Sequence, residues 1–148
     1  PDGSDEQGKI INNIHVARLT KLIDTAGGKL MYGGKVNEGK KHIQPTIILN
    51  PNQDSQLMLD EIFGPILPIF TYKSMNEVID FINNKPKPLA VYYFGKPHHK
   101  DSTDLRYKTS SGCFMTNECL MQCISHYQAF GGVGESGQGR YGGYEGFK

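Results

Sequence analysis

The 148-residue sequence has no tryptophan, only three cysteines and no apolar run near the roughly 18–20 residues of a membrane-spanning helix. An odd, small number of cysteines argues against a disulfide framework and favours a reduced intracellular compartment, most simply the cytoplasm. The formal net charge of +1 gives no reason to expect nucleic acid or an anionic membrane as a partner. The length and composition predict one soluble domain, or part of one.

Apolar periodicity divides the chain into alternating strands and helices. Strands are predicted at 29–32, 43–49, 66–72, 89–94 and 112–116, and helices at 9–26, 75–84 and 99–108. Ser74 and Glu77 have the spacing of a capping box. The alternation predicts an α/β fold with a mainly parallel sheet and flanking helices. In the first helix, the expected buried face consists of Ile11, Ile14, His15, Leu19, Leu22, Ile23 and Ala26.

The end of the chain is rich in glycine. Residues 130–143, FGGVGESGQGRYGG, include a literal G-x-G-x-x-G at Gly132, Gly134 and Gly137. A dinucleotide fingerprint requires a preceding strand, a following helix and an acidic residue about 20 positions further on. The chain ends before that context can form, so we expect an irregular loop that packs closely against another part of the protein.

Cysteine and histidine offer two further hypotheses. Cys113, Cys119 and Cys123 could include a nucleophile, or Cys119 and Cys123 could share a metal, but two ligands do not make a zinc site and only His126 is near as a base. Buried small hydrophobic side chains are the alternative. The adjacent histidines at 98 and 99 are typical of a solvated turn. We therefore predict no metal site.

Glu61 begins the pentapeptide EIFGP, which lies between an apolar run and a predicted strand. A carboxylate that accepts hydrogen bonds from ribose hydroxyls, beside an aromatic ring, would explain the cluster. A surface turn with a buried Phe63 is the alternative.

The ordered motifs EIFGP at 61–65, TYKSMNEVIDFINNKPKPLAVYYF at 71–94 and FGGVGESGQGR at 130–140 together resemble the aldehyde dehydrogenase superfamily. The class 3, or fatty-aldehyde, branch is the most similar, and GKIINNIHVARL at 8–19 and IQPTIIL at 43–49 extend the resemblance over nearly the whole chain. The resemblance implies that residues 1–148 are a C-terminal, partial catalytic domain of a longer enzyme.

Such an enzyme oxidises an aldehyde to a carboxylic acid with NAD or NADP, through a thiohemiacetal and a thioester on a cysteine. The resemblance places the cysteine, the general-base glutamate and the oxyanion asparagine N-terminal to this segment, so no catalytic residue is assigned here and the isolated chain is expected to be inactive. The alternative is a non-catalytic structural or interaction module derived from such an enzyme.

The resemblance also assigns four binding residues. Glu61 corresponds to the glutamate that holds the nicotinamide ribose, and Phe63 to the phenylalanine beside the nicotinamide ring. His126 and Phe130 correspond to residues near the substrate channel. The expected partners are an aldehyde, the remainder of the same enzyme and a second copy in a homodimer. Membrane association through a tail beyond Lys148 would be compatible with this segment.

Overall fold

The structure is a computed structural model and describes residues 7–147. Strands and helices alternate along it, which confirms the predicted α/β class. The elements are α1 (Asn13–Thr25), β1 (Lys29–Tyr32), β2 (Val36–Asn37), β3 (His42–Ile43), β4 (Thr46–Leu49), α2 (Gln56–Leu59), β5 (Ile66–Ile69), α3 (Met75–Asn83), β6 (Ala90–Tyr93), α4 (Lys100–Lys108), β7 (Cys113–Thr116) and α5 (Met121–Ile124).

The chain divides into two compact units, one up to Thr71 and the other from Tyr72 onward. The first unit contains a three-stranded sheet in the order β1-β4-β5 and a separate ribbon of β2 and β3. β4 pairs with β5 in parallel, whereas β1 joins β4 antiparallel. The second unit contains the parallel pair β6 and β7. The pairs β4–β5 and β6–β7 are therefore parallel, whereas β1 and the ribbon contribute the antiparallel pairs.

The core of the first unit lies where α1 and α2 pack against the sheet. Fully burying one aliphatic side chain contributes roughly 1.5–3 kcal/mol, so this cluster supplies much of the stability of the unit. The most deeply buried apolar members are Val16, Leu19, Ile43, Ile48 and Leu57.

The structure corrects the start and the buried face of α1. The Asn12 side chain accepts a hydrogen bond of 3.0 Å from the His15 amide and caps the helix there, so the helix begins at Asn13 rather than at residue 9. Ile11 precedes the helix and Ile14 lies on its outer side, and they are 78% and 79% exposed. The buried face instead consists of Val16, Leu19, Leu22 and Ala26, with Ile23 partly buried.

The predicted strand at 43–49 is interrupted. Pro45 has no amide hydrogen to donate to a strand ladder, and the Thr46 hydroxyl donates to the Gln44 carbonyl across this point at 2.7 Å. As a result, β3 pairs with β2 in the ribbon and β4 enters the three-stranded sheet. The short elements β2, α2 and α5 were not predicted.

In the second unit, α3 and α4 bury Ile79 and Leu105 against Val91 of β6. The Ser74 hydroxyl accepts from the Glu77 amide at 3.4 Å, as a capping box requires. The Glu77 carboxylate, however, accepts from the Lys73 amide at 3.0 Å, one residue before the expected donor. The cap therefore differs from the prediction at one donor, and the helix still begins where the sequence indicates.

We expect Gly28→Ala to destabilise the chain by about 2–4 kcal/mol. Gly28 has a φ of +76°, and a Cβ atom there would lie 2.6 Å from the carbonyl oxygens of Leu49 and Asn50. The free energy of unfolding, measured by urea denaturation, provides the test. Gly39→Ala is the matched control, because the nearest atom to its Cβ would be 3.7 Å away and its φ is not positive. Equal losses of stability in the two variants would contradict this account.

Candidate functional site

Phe63 lies at the centre of the turn between α2 and β5 and points away from the core. Its side chain is 74% exposed and its φ is +46°. This left-handed conformation costs a bulky residue roughly 1–2 kcal/mol. An exposed ring cannot offset that cost by burial in the first unit. The alternative of a surface turn with a buried Phe63 is therefore wrong for this unit.

Two contacts with α1 hold the turn in place. The Arg18 guanidinium donates a hydrogen bond of 2.6 Å to the Ile62 carbonyl oxygen. Gly64 lies so close to Leu19 that a Cβ atom at position 64 would be 2.5 Å from the Leu19 Cδ2 atom. Because Leu19 is completely buried, Gly64 and Arg18 together fix the backbone on both sides of Phe63.

Glu61 lies two residues before Phe63 and is also exposed. Within residues 7–147, its carboxylate makes no hydrogen bond and no ion pair. The turn thus presents an aromatic ring and a free anionic acceptor on a rigid backbone. Beside it, residues at the start of β4 and β5 line a shallow groove of about 340 Å³.

The other two predicted residues lie in the second unit. The His126 side chain is exposed, and its backbone carbonyl accepts from the Gly143 amide at 2.9 Å. Phe130 is only 9% exposed and packs edge-on against Tyr141, with ring centroids 5.9 Å apart. Phe130 also lines a groove of about 410 Å³, together with Leu89 and the glycine-rich loop.

The glycine-rich loop is irregular, as predicted, and backbone pairing joins its two ends. Phe130 and Tyr141 exchange backbone hydrogen bonds of 2.8 and 2.9 Å at its base. A Cβ atom at Gly132 would lie 2.0 Å from the Ser136 carbonyl oxygen, so only glycine permits this fold. A single 3-10 turn, Gly134–Ser136, takes the place of the helix that a dinucleotide fingerprint requires.

Cys113 does not have the environment of a catalytic thiol. Cys113 is partly buried, and burial, followed by the nearby Cys123, raises the pKa of its thiol. A raised pKa reduces the thiolate fraction near neutral pH, which is the opposite of activation. Cys119 and Cys123 are exposed, so the expectation that they are buried is wrong for these two.

One of the two adjacent histidines has a structural role. His99 caps α4, and its Nδ1 atom accepts from the Asp101 amide at 3.3 Å. In the part of the chain that the structure describes, no three His, Cys, Asp or Glu side chains converge to hold a metal ion. No helix in that part is long and apolar enough to cross a membrane.

The sequence pattern of the aldehyde dehydrogenase family matches residues 2–148. The chain belongs to this family. Aldehyde dehydrogenase family 3 member F1 of Arabidopsis thaliana is 43% identical over 143 residues, which cover 95% of this chain and 29% of that protein. The dimeric, NADP-preferring aldehyde dehydrogenase of Canis lupus familiaris is 39% identical over 145 residues, covering 98% of this chain and 31% of the relative.

A solved aldehyde dehydrogenase of Staphylococcus aureus in a substrate-bound state has the same fold. It superimposes with a TM-score of 0.88 at 39% identity, covering 99% of this chain and 32% of that structure. The chain therefore spans about a third, or slightly less, of the aldehyde dehydrogenases it matches.

The sequence named Glu61 and Phe63 as candidate binding residues but gave no strong signal for Arg18, which supports their turn. Arg18 lies on α1 next to the buried Leu19, and its Nε atom also donates to the His15 ring at 3.4 Å. A cation adjacent to the apolar stripe of a helix is a weak signal for such a contact, because its partner, the Ile62 carbonyl, is 44 residues away along the chain.

We expect Phe63→Gly to be more stable than Phe63→Ala by up to about 1 kcal/mol. Both changes remove the exposed ring, but only glycine relieves the left-handed backbone at this position. Urea denaturation of the two variants gives the difference in the free energy of unfolding. An alanine variant as stable as the glycine variant would show that the backbone at Phe63 is not strained.

Proposed function

We propose that the chain is part of the catalytic domain of an enzyme that oxidises an aldehyde to a carboxylic acid with NAD or NADP. The observation that carries the proposal is the turn at 61–65. There, a strained backbone, held by Arg18 and Gly64, keeps Phe63 in solvent beside the free Glu61 carboxylate. Strain of this kind persists where function requires the conformation.

The turn fits a nicotinamide nucleotide. The Glu61 carboxylate can accept hydrogen bonds from two vicinal ribose hydroxyls, and the exposed Phe63 ring offers a flat apolar surface to a planar heterocycle. The bound cofactor would supply hydride transfer, which no protein side chain provides. The part of these residues is to hold the sugar and orient the ring. The Canis lupus familiaris relative prefers NADP. The proposed cofactor of the parent enzyme is NAD or NADP.

The covalent step belongs to a part of the parent protein that precedes this segment. The raised thiol pKa of Cys113 argues against an activated nucleophile at that position. The resemblance supplies the missing groups: a cysteine that attacks the aldehyde, a glutamate that activates water and an asparagine that stabilises the oxyanion. In this proposal, His126 and Phe130 lie near the aldehyde channel.

The remainder of the parent enzyme is the proposed partner of the first unit. Leu67 and Ile69 of β5 and Tyr32 of β1 are between 38% and 55% exposed on the sheet. Apolar side chains grouped in this way are typical of a surface that another part of a protein covers. We further propose a homodimer, by analogy with the dimeric relative, and a cytoplasmic location.

We expect Glu61→Gln in the parent protein to raise the dissociation constant for NADH or NADPH about tenfold. The amide keeps the shape of the side chain but loses the charge that strengthens its hydrogen bonds to ribose. Fluorescence titration of the reduced cofactor measures the change. Glu38→Gln is the matched control, since Glu38 is an exposed carboxylate on the ribbon of the same unit. Equal affinity in Glu61→Gln and the wild type would refute the assignment.

The isolated 148-residue chain is expected to form no NADH or NADPH from an aldehyde, because the nucleophile and the general base lie outside it. The parent protein, assayed in parallel by absorbance at the same aldehyde concentration, should be active. Turnover by the isolated chain would contradict the proposed division of roles. An inactive but folded parent protein would favour the alternative of a structural or interaction module.

A further inference from the structure

A second groove, of about 410 Å³, lies in the second unit between α4 and β7. Its volume is within the range of sites for small molecules. Ser102 and Arg106 lie one helical turn apart on α4, so their side chains share one face. Phe114 and Thr116 are two residues apart on β7 and therefore also share a face. The proposed oxidation of an aldehyde assigns no role to the residues that line this groove.

Ser102 is the most informative residue of the groove. It is only 7% exposed, which is unusual for serine, and it lines the groove. Within residues 7–147, its hydroxyl makes no hydrogen bond. Because Ser102 lines the groove, its hydroxyl can donate to an acceptor bound there.

Arg106 adds a positive charge to the same wall. Its guanidinium lies 5.7 Å from the centre of the Tyr107 ring, within the range of a cation–π contact. No carboxylate pairs with Arg106 in the described part of the chain. The carboxylate of Asp104 on the same helix is occupied, because it contacts Lys100 and lies 3.4 Å from Lys108. Those contacts, chiefly the hydrogen bond from Lys100, lower the pKa of Asp104.

The other walls combine donors with apolar surface. The His98 ring and the Thr116 hydroxyl are polar, whereas the Phe114 and Tyr107 rings are flat and apolar. The backbone of His98 is left-handed, with a φ of +59°. The groove therefore offers one cation, several hydroxyl donors and an aromatic surface, but no carboxylate among its lining residues.

We propose that this groove binds a small oxyanion, either a phosphate monoester or a carboxylate, attached to a compact aromatic body. The Arg106 guanidinium would take two oxygens of the anion, and the Ser102 hydroxyl would donate to one of them. The aromatic body would lie against Phe114 and Tyr107. This inference is independent of the proposed oxidation of aldehydes, because it uses none of the residues assigned to the cofactor or the aldehyde.

Calorimetric titration of the parent protein with phenyl phosphate and with benzoate, at about 0.15 M salt, tests the proposal. Phenol serves as the uncharged probe. We expect saturable binding of at least one anion, and the stronger of the two identifies the head group. Arg106→Met should weaken that binding at least about tenfold, and Ser102→Ala about threefold, since charged hydrogen bonds exceed neutral ones. Arg106→Lys should retain part of the affinity.

Lys73→Met is the matched control, because Lys73 is an exposed cation elsewhere in the same unit. It should leave the affinity within twofold of the wild type. Three results would overturn the proposal: no saturation by either anion below about 10 mM, equal affinity for phenol, or the same loss in Lys73→Met as in Arg106→Met. Circular dichroism of each variant establishes whether it is folded. If Arg106→Met does not fold, the milder Ser102→Ala variant still tests the proposal.

Discussion

The packing of α1 against β4 and β5 controls the geometry of the first unit. Leu19 is completely buried, and Gly64 lies against it without room for a Cβ atom. This contact fixes the start of β5 and leaves little space for the chain that leads into it. The backbone therefore turns sharply at Phe63 and adopts a left-handed conformation. Arg18 supports the same turn from the helix, so the core determines where the ring of Phe63 lies.

Close backbone contacts have the same effect in the second unit. A Cβ atom at Gly112 would lie 2.2 Å from the Gly131 carbonyl oxygen, so the glycine-rich loop packs directly against the start of β7. Cys113, the next residue, is partly buried, and this burial, followed by the nearby Cys123, raises the pKa of its thiol. Hence the glycines of the loop allow close contacts between backbone segments. The thiol of Cys113 beside them is not activated.

The two grooves of the second unit differ in chemistry. The groove beside Phe130 has four glycines among its nine lining residues, together with Gln138 and Arg140, whereas the groove between α4 and β7 is lined by side chains with hydroxyl donors and one cation. Backbone-lined grooves constrain the shape of a ligand, and a fixed guanidinium selects its charge. Both grooves therefore contain a guanidinium, and the second groove adds the Ser102 and Thr116 hydroxyls to it.

The sequence by itself determined the elements with strong local signals. The strand at 29–32 and the helix beginning near Met75 follow from periodicity and capping, which act over a few residues. EIFGP likewise marked Glu61 and Phe63 as a candidate site. Only the tertiary structure decided that Ile11 and Ile14 are exposed, that Pro45 separates two strands, and that Arg18 holds the Ile62 carbonyl. Those outcomes depend on contacts between residues distant in sequence, for which local spacing carries no information.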